Sequence, residues 1–276
     1  MLTIFTIPKP FRGHIEVIQR NAIESWLRLR PQCEIILCGD DPGVAEAASE
    51  YEIEHVPDIA CNEYGTPLVS SAFEHVQQVA QHPLICYTNA DIIFLSDLTA
   101  SVKRITFPRF LVVGQRWDLD ITTLVRFEEK EWEHKLREQA LSYGTLHPPA
   151  GSDYFVFPNG TVGELPDFAV GRAGWDNWVI YRARSCNIPV IDATQVNMVI
   201  HQAHGYRHVP QKTGQAWGGP ETIPTLELIQ GHDQFYTLLD ATHVLAARSL
   251  RPAWKYKYVR RRLVRARQYL TKLFRK

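Results

Sequence analysis

The sequence predicts an α/β protein: a mostly parallel central sheet held between helices, followed by a basic helix at the C-terminus. Two observations carry the fold class. Short apolar runs of strand length alternate with longer stretches patterned at helical spacing. Three of those runs also finish in polar residues, as strands do when their ends line a cleft.

In chain order, "LTIFTI" (2–7) reads as a buried first strand. "GHIEVIQRNAIESWLRL" places Ile15, Ile18, Ala22, Trp26 and Leu29 on one helical face, and Pro31 stops it. "CEIILCGDD" is a second strand ending at Asp40 and Asp41, and "YEIEHV" a short third. "TPLVSSAFEHVQQVA" is again amphipathic through Val69, Ala72, Phe73, Val76 and Ala80. "LICYT" is the fourth strand and runs into Asn89 and Asp91. "FLVVGQRWDLDIT" reads as one strand with a polar exit, and "FEEKEWEHKLREQALSYG" as a charged surface helix. "DYFVFP" is a short strand, "GRAGWDNWVIYRARSCN" turns into a helix near Asp176, and "IPVIDAT" is a further strand. Such alternation implies parallel strands covered by helices.

The 276 residues suffice for a proper core. No apolar run reaches the roughly 18 residues of a membrane-spanning helix, and the opening residues read as a strand, not as a signal peptide. The five cysteines include no CxxC pair, so reduced thiols in the cytoplasm are expected. The formal net charge of zero hides a division. Residues 1–240 hold 18 basic and 30 acidic residues, and residues 241–276 hold 12 basic and no acidic ones. The expected organisation is one domain over 1–245 and a basic arm over 246–276.

The usual phosphate cradles are absent: there is no GxGxxG and no GxxxxGK[ST]. The turn "TIPKPFRG" is not the glycine-rich loop of a nucleotidyltransferase either. A diphosphate would then need a divalent ion held by carboxylates. Asp91, carried to the predicted cleft by an apolar strand, suits that task. Asn89, two residues away, shares its side in extended backbone and could orient a ribose or phosphate. The alternative is that both merely cap a turn.

At these residues the chain resembles a known family. "YTNADIIF" is similar to the Asp-x-Asp region of GT-A-type glycosyltransferases, with Asn89 in place of the first Asp. The likeness extends through "FTIPKPF", "NAIESW", "IILCGDD", "GSDYFVFP", "GRAGWDNW", "IPVIDAT" and "HQAHGY", over roughly residues 1–245. The resemblance implies a GT-A-like, Rossmann-type sandwich. It implies that Thr6 and Pro8 border a nucleotide base, that Asp40 bonds the base or ribose, and that Asp91 binds Mn²⁺ or Mg²⁺ on the diphosphate of a UDP- or GDP-type sugar donor. His201 or His204 would complete the metal shell. "HQAH" on a helix would put both on one face.

In "GRAGWDNW", two tryptophans beside an acid and an amide suit a sugar ring. The resemblance implies a base for the acceptor hydroxyl there, at Asp176, with Asp153 competing for that role or for the donor sugar's hydroxyls. Without catalysis, Asp176 reads as a helix N-cap and Asp153 as a turn residue. Arg172 could meet phosphate.

In the arm, Val259, Leu263, Ala266, Leu270 and Leu273 form one apolar helical stripe among arginines and lysines. Such a helix is a candidate for an anionic membrane surface, through residues 248–276. It could instead pack on the acidic body or bind nucleic acid non-specifically. No specific nucleic-acid partner is expected, since the body shows no basic groove. The expectation is a sugar transferase acting on a glycan or lipid-linked acceptor, cytoplasmic and peripheral at the inner membrane face. The alternative is a catalytically inactive GT-A-like module that binds a glycan or a partner.

Overall fold

Strand β1 (Leu2–Thr6) is buried along its whole length, as a strand covered on both faces must be. Its side chains alternate: Phe5 enters one apolar core, while Leu2 and Ile4 enter a second on the opposite face. The computed structural model describes residues 2–203 and 220–273. Helix α1 (Gly13–Leu27) buries Ile18, Ala22 and Trp26, the stripe its spacing predicts. Then come β2 (Glu34–Cys38), α2 (Val44–Glu50) and β3 (Glu54–Val56), a strand shorter than "YEIEHV" suggests because α2 and its C-cap extend to Tyr51. Helix α3 (Val69–Val79) packs Val69, Ala72, Phe73 and Val76 inward, and β4 (Leu84–Thr88) follows.

After β4 the chain makes β5 (Ile92–Phe94) and α4 (Asp97–Val102). The single strand expected over "FLVVGQRWDLDIT" is two, β6 (Leu111–Val113) and β7 (Trp117–Leu119), which belong to different sheets. Helix α5 (Trp132–Tyr143) leads to β8 (Thr145–Leu146) and β9 (Tyr154–Pro158). Helix α6 (Trp175–Ser185), β10 (Val190–Asp192), β11 (Val199–Gln202) and α7 (Thr222–Ile229) precede β12 (His243–Leu245), β13 (Leu250–Pro252) and α8 (Tyr256–Leu273).

Among the described residues the main sheet has nine strands, in the order β13-β12-β10-β6-β9-β4-β1-β2-β3. All of its pairings are parallel except those made by β9 and β13. Residues of α3 and α6 fill one core, and residues of α1 and α2 the other. A smaller sheet, β5-β11-β7-β8, closes one side over its own core of Ile93, Leu119, Leu136 and Ile200. The expected boundary at 245/246 falls between β12 and β13, which pair antiparallel, and Tyr258 of α8 is buried against the body.

Candidate active site

Because β1, β2 and β4 run the same way, their C-terminal ends share one edge of the sheet, the edge where ligands of open α/β sheets bind. A cavity of about 480 Å³ opens there, a size suited to a small-molecule ligand. Ile7, Ile15, Ile18 and Trp175 line its apolar side.

Asp91, just past β4, enters the cavity on a fixed backbone. Its carbonyl accepts from Gln202 N at 3.1 Å and Gln202 Nε2 at 3.2 Å. The buried Gln202 side chain also donates to the Ile18 carbonyl at 2.7 Å and accepts from Asn21 Nδ2 at 2.9 Å. Helix α1, β11 and the Asp91 turn are thereby one unit. Successive strand residues face opposite ways. Gln202 points into the protein, and its neighbour His201 points into the cavity.

His201 Nε2 lies 3.7 Å from Asp91 Oδ2, and Nδ1 lies 2.9 Å from Asp118 Oδ1. Burial opposes protonation of this imidazole, but the bond to Asp118 and the charge of Asp91 outweigh it and raise its pKa. Asp118 also accepts from Arg116 Nε and pairs with His147 Nδ1, each at 2.8 Å. Burial alone would raise the Asp118 pKa, yet these three partners hold it well below the carboxylate range. Arg116 Nη1 pairs in turn with Asp153 Oδ2. One planar guanidinium thus bridges two carboxylates, a geometry lysine cannot reproduce.

Asp153 is shared with Asn89. Asn89 Nδ2 donates to Asp153 Oδ1 at 2.8 Å, and Asn89 N donates to the Asp153 carbonyl at 2.9 Å. Tyr87 OH donates to Asn89 Oδ1 at 3.0 Å. This explains the departure from an Asp-x-Asp pattern: an aspartate at position 89 would meet Asp153 with no proton to share. Lys9 reaches the cavity from the turn after β1, its backbone held by Gln19 at 2.7 and 2.8 Å. Burial lowers its pKa and nearby Asp91 partly offsets that.

Asp176 also lines the cavity. It is not the N-cap that its position suggests. That role falls to Gly174 at φ 105°, and Asp176 sits in the first turn of α6. A Cβ at Gly174 would lie 2.7 Å from Ile229 Cδ1 and 2.8 Å from Phe235 Cζ, so the start of α6 needs glycine. Asp176 Oδ2 accepts from Ser152 N at 3.1 Å. Burial, with the charge of Asp153 adding to it, pushes the carboxyl up to about 6 against the backbone bonds that favour its charge.

Other expected positions are placed differently. Thr6 and Pro8 are buried and Asp40 is exposed, and none of the three lines the cavity. His201 belongs to a strand, which removes the helical basis for pairing it with His204, and His204 lies outside the described residues. Asn177 is turned inward, donating to the carbonyls of Ala150 and Tyr236 at 2.8 Å each. Trp178 packs on Phe168 with ring centroids 5.5 Å apart. Of the tryptophan pair only Trp175 lines the cavity. Arg172 lines it too, paired with Glu221 through Nε at 2.8 Å. Sequence reasoning missed Arg116, Asp118, His147 and Lys9. The available signal was Arg116-x-Asp118, a cation and a carboxylate two residues apart at the start of a strand.

Among the described residues no three histidine, cysteine or acidic groups gather into a protein-only metal shell. Asp91 and His201 are the pair that could hold an ion. Two donors each about 2.1 Å from one ion can stand up to about 4.2 Å apart, and the 3.7 Å between Oδ2 and Nε2 fits within that.

The sandwich has a GT-A-like fold, as its likeness to solved structures shows. Among solved structures the chain is similar to residues 1–349 of S. aureus TarS in complex with UDP-GlcNAc, at 10% identity and a TM-score of 0.53, over 83% of this chain and 65% of that one. It is likewise similar to GalNAc-T7 with UDP, GalNAc and Mn²⁺, at 13% identity and a TM-score of 0.52, over 83% of this chain and 48% of that one. The chain therefore spans about half to two thirds of these neighbours, and the likeness is one of fold. No family model matches the sequence, and no curated protein does.

Proposed function

We propose that this protein transfers a sugar from a nucleoside-diphosphate donor to a hydroxyl of a glycan or lipid-linked acceptor. The observation that carries the reading is the convergence of Asp91 and His201 on the cavity at the end of the parallel strands, with Asp118 behind the imidazole. A Mn²⁺ or Mg²⁺ ion held by this pair would neutralise charge developing on the departing diphosphate. The chain's own residues prepare the rest. Asp118 fixes the His201 ring so that Nε2 faces Asp91. Lys9 adds a cation at the same wall. Asp176 takes the proton from the acceptor hydroxyl, because Asp153 is committed to Arg116 and Asn89. The apolar side at Ile7, Ile15, Ile18 and Trp175 keeps the reacting groups from bulk water.

The fold neighbours crystallised with UDP, UDP-GlcNAc or Mn²⁺ support a donor and metal of this kind. Asn89, bonded into the site through Asp153, supports an assembled active site over a decayed binding module. Calorimetric titration with UDP- and GDP-sugars, with and without Mn²⁺, tests the proposal. Binding strengthened by Mn²⁺ and lost in Asp91→Ala is expected, together with donor turnover. Binding without turnover would restore the inactive module, and no nucleotide binding at all would remove both readings.

A further inference from the structure

Helix α8 meets the body with its polar side. Tyr258 is buried and its hydroxyl donates to Asp192. Arg261 and Arg265 pair with the buried Asp240, each at 3.1 Å, and Arg265 covers the Tyr236 ring at 4.0 Å from its centroid. Of the apolar stripe, Leu263, Ala266 and Leu270 are left outside, and Val259 is half-buried. Tyr256, Leu263 and Leu270 recur along it at helical spacing and are 79%, 67% and 51% exposed. Trp254 stands at its start, 71% exposed, and Arg260 and Arg267 flank it in solvent. A helix that only needed to cover its own domain would bury this stripe and expose its arginines.

We propose that the outward stripe of α8 seats the protein on an anionic lipid surface. The apolar side chains and Trp254 enter the boundary between headgroups and acyl chains, and the flanking arginines meet lipid phosphates. Charge selects this occupant: apart from Arg261 and Arg265, which are paired with Asp240, residues 241–276 hold ten basic residues and no acid. A second copy docked stripe to stripe would press two arginine rows together. A polynucleotide would satisfy the arginines and leave the leucines wet. The helix lies on the bilayer, since no helix among the described residues is long and apolar enough to cross one. Docking also orients the cavity. The segment under α8 supplies Phe235 and Thr237 to the cavity wall, and Arg265 reaches the Phe235 carbonyl from behind. Resting on the transferase reading, this places a lipid-linked acceptor within reach; the docking itself does not depend on that reading.

Sedimentation with phosphatidylcholine vesicles, with and without phosphatidylglycerol, tests the proposal. The full chain should pellet only with the anionic vesicles. A Leu263→Ser, Leu270→Ser double variant should partition about tenfold less or weaker still. Both side chains are exposed, so the fold is retained, and nucleoside-diphosphate binding measured without vesicles should match the wild type. That parallel measurement separates failure of docking from failure of the transferase reading. The proposal is overturned if the wild type stays in the supernatant with anionic vesicles at low salt, or if the double variant pellets as the wild type does. It is also overturned if light scattering shows a wild-type dimer that the double substitution dissociates.

Discussion

His201 Nδ1 sits 2.9 Å from Asp118 Oδ1, and this contact decides which ring nitrogen is turned toward Asp91. Asp118→Asn removes the anion that orients the ring and pairs with Arg116 and His147. Affinity for a nucleoside diphosphate in the presence of Mn²⁺ should fall about 10- to 100-fold, read by calorimetry, with affinity in its absence changed far less. The Asp118 pKa is depressed in the folded state. Its contribution to stability is therefore present above the unfolded carboxylate value of about 4 and is lost as pH falls below it. Urea denaturation across that range should show a smaller acid-side loss in the variant.

Asn89 and Asp153 give a second test. Asn89→Asp places two carboxylates at the contact now spanning 2.8 Å. The variant should lose about 1–3 kcal/mol at neutral pH. Part of that loss should return on acidification, as one carboxyl of the pair takes up a proton. Thermal denaturation at several pH values measures both effects. Equal melting temperatures for variant and wild type at neutral pH would remove the explanation given for asparagine at this position.

Arg116 joins Asp118 and Asp153 with its side chain only 11% exposed. Arg116→Gln leaves that pair of acids without their shared cation and should cost about 3–5 kcal/mol, as breaking a buried ion pair does. Arg116→Lys should recover only part of this, because an ammonium lacks the fork that serves both partners. Urea unfolding midpoints rank the three proteins.

Asp176 should impose a pH profile. Its pKa is raised to about 6, so as a base it is unprotonated and competent above that value. Turnover should rise with pH to a half-maximum near 6, and Asp176→Asn should abolish turnover while leaving donor binding within about threefold. Stability runs the other way. A raised carboxyl pKa contributes stability that is present below the unfolded value and lost as pH rises through the folded one. A profile in which turnover falls as pH passes upward through 6 would remove Asp176 from the role of base.

Much of the architecture was legible in local pattern. The buried faces of α1 and α3 follow from residue spacing, and β1, β2, β4 and β10 from short apolar runs. What could not be read is which strands pair. The split of "FLVVGQRWDLDIT" into β6 and β7 is a tertiary event, and only after it does Arg116 meet Asp153, or Asp118 meet His201. His201 stood out as a late histidine, but its extended backbone is set by β5 and β7, distant in sequence. Likewise the stripe of α8 is plain from its spacing. Its outward direction depends on Asp192 and Asp240, which draw the other face inward.

Strand β9 lies reversed between β4 and β6, with Tyr154 opposite Thr88. The residue that follows β4 and the one that precedes β9 therefore meet at the same rim. With β9 turned around, Asp153 would stand at the far rim, about 15 Å away across five residues. A slip of one position would turn each β9 side chain to the wrong face. Only one alignment of these strands brings Asn89, Asp153 and Arg116 together, so under the proposed function specific activity would double as a gauge of correct folding.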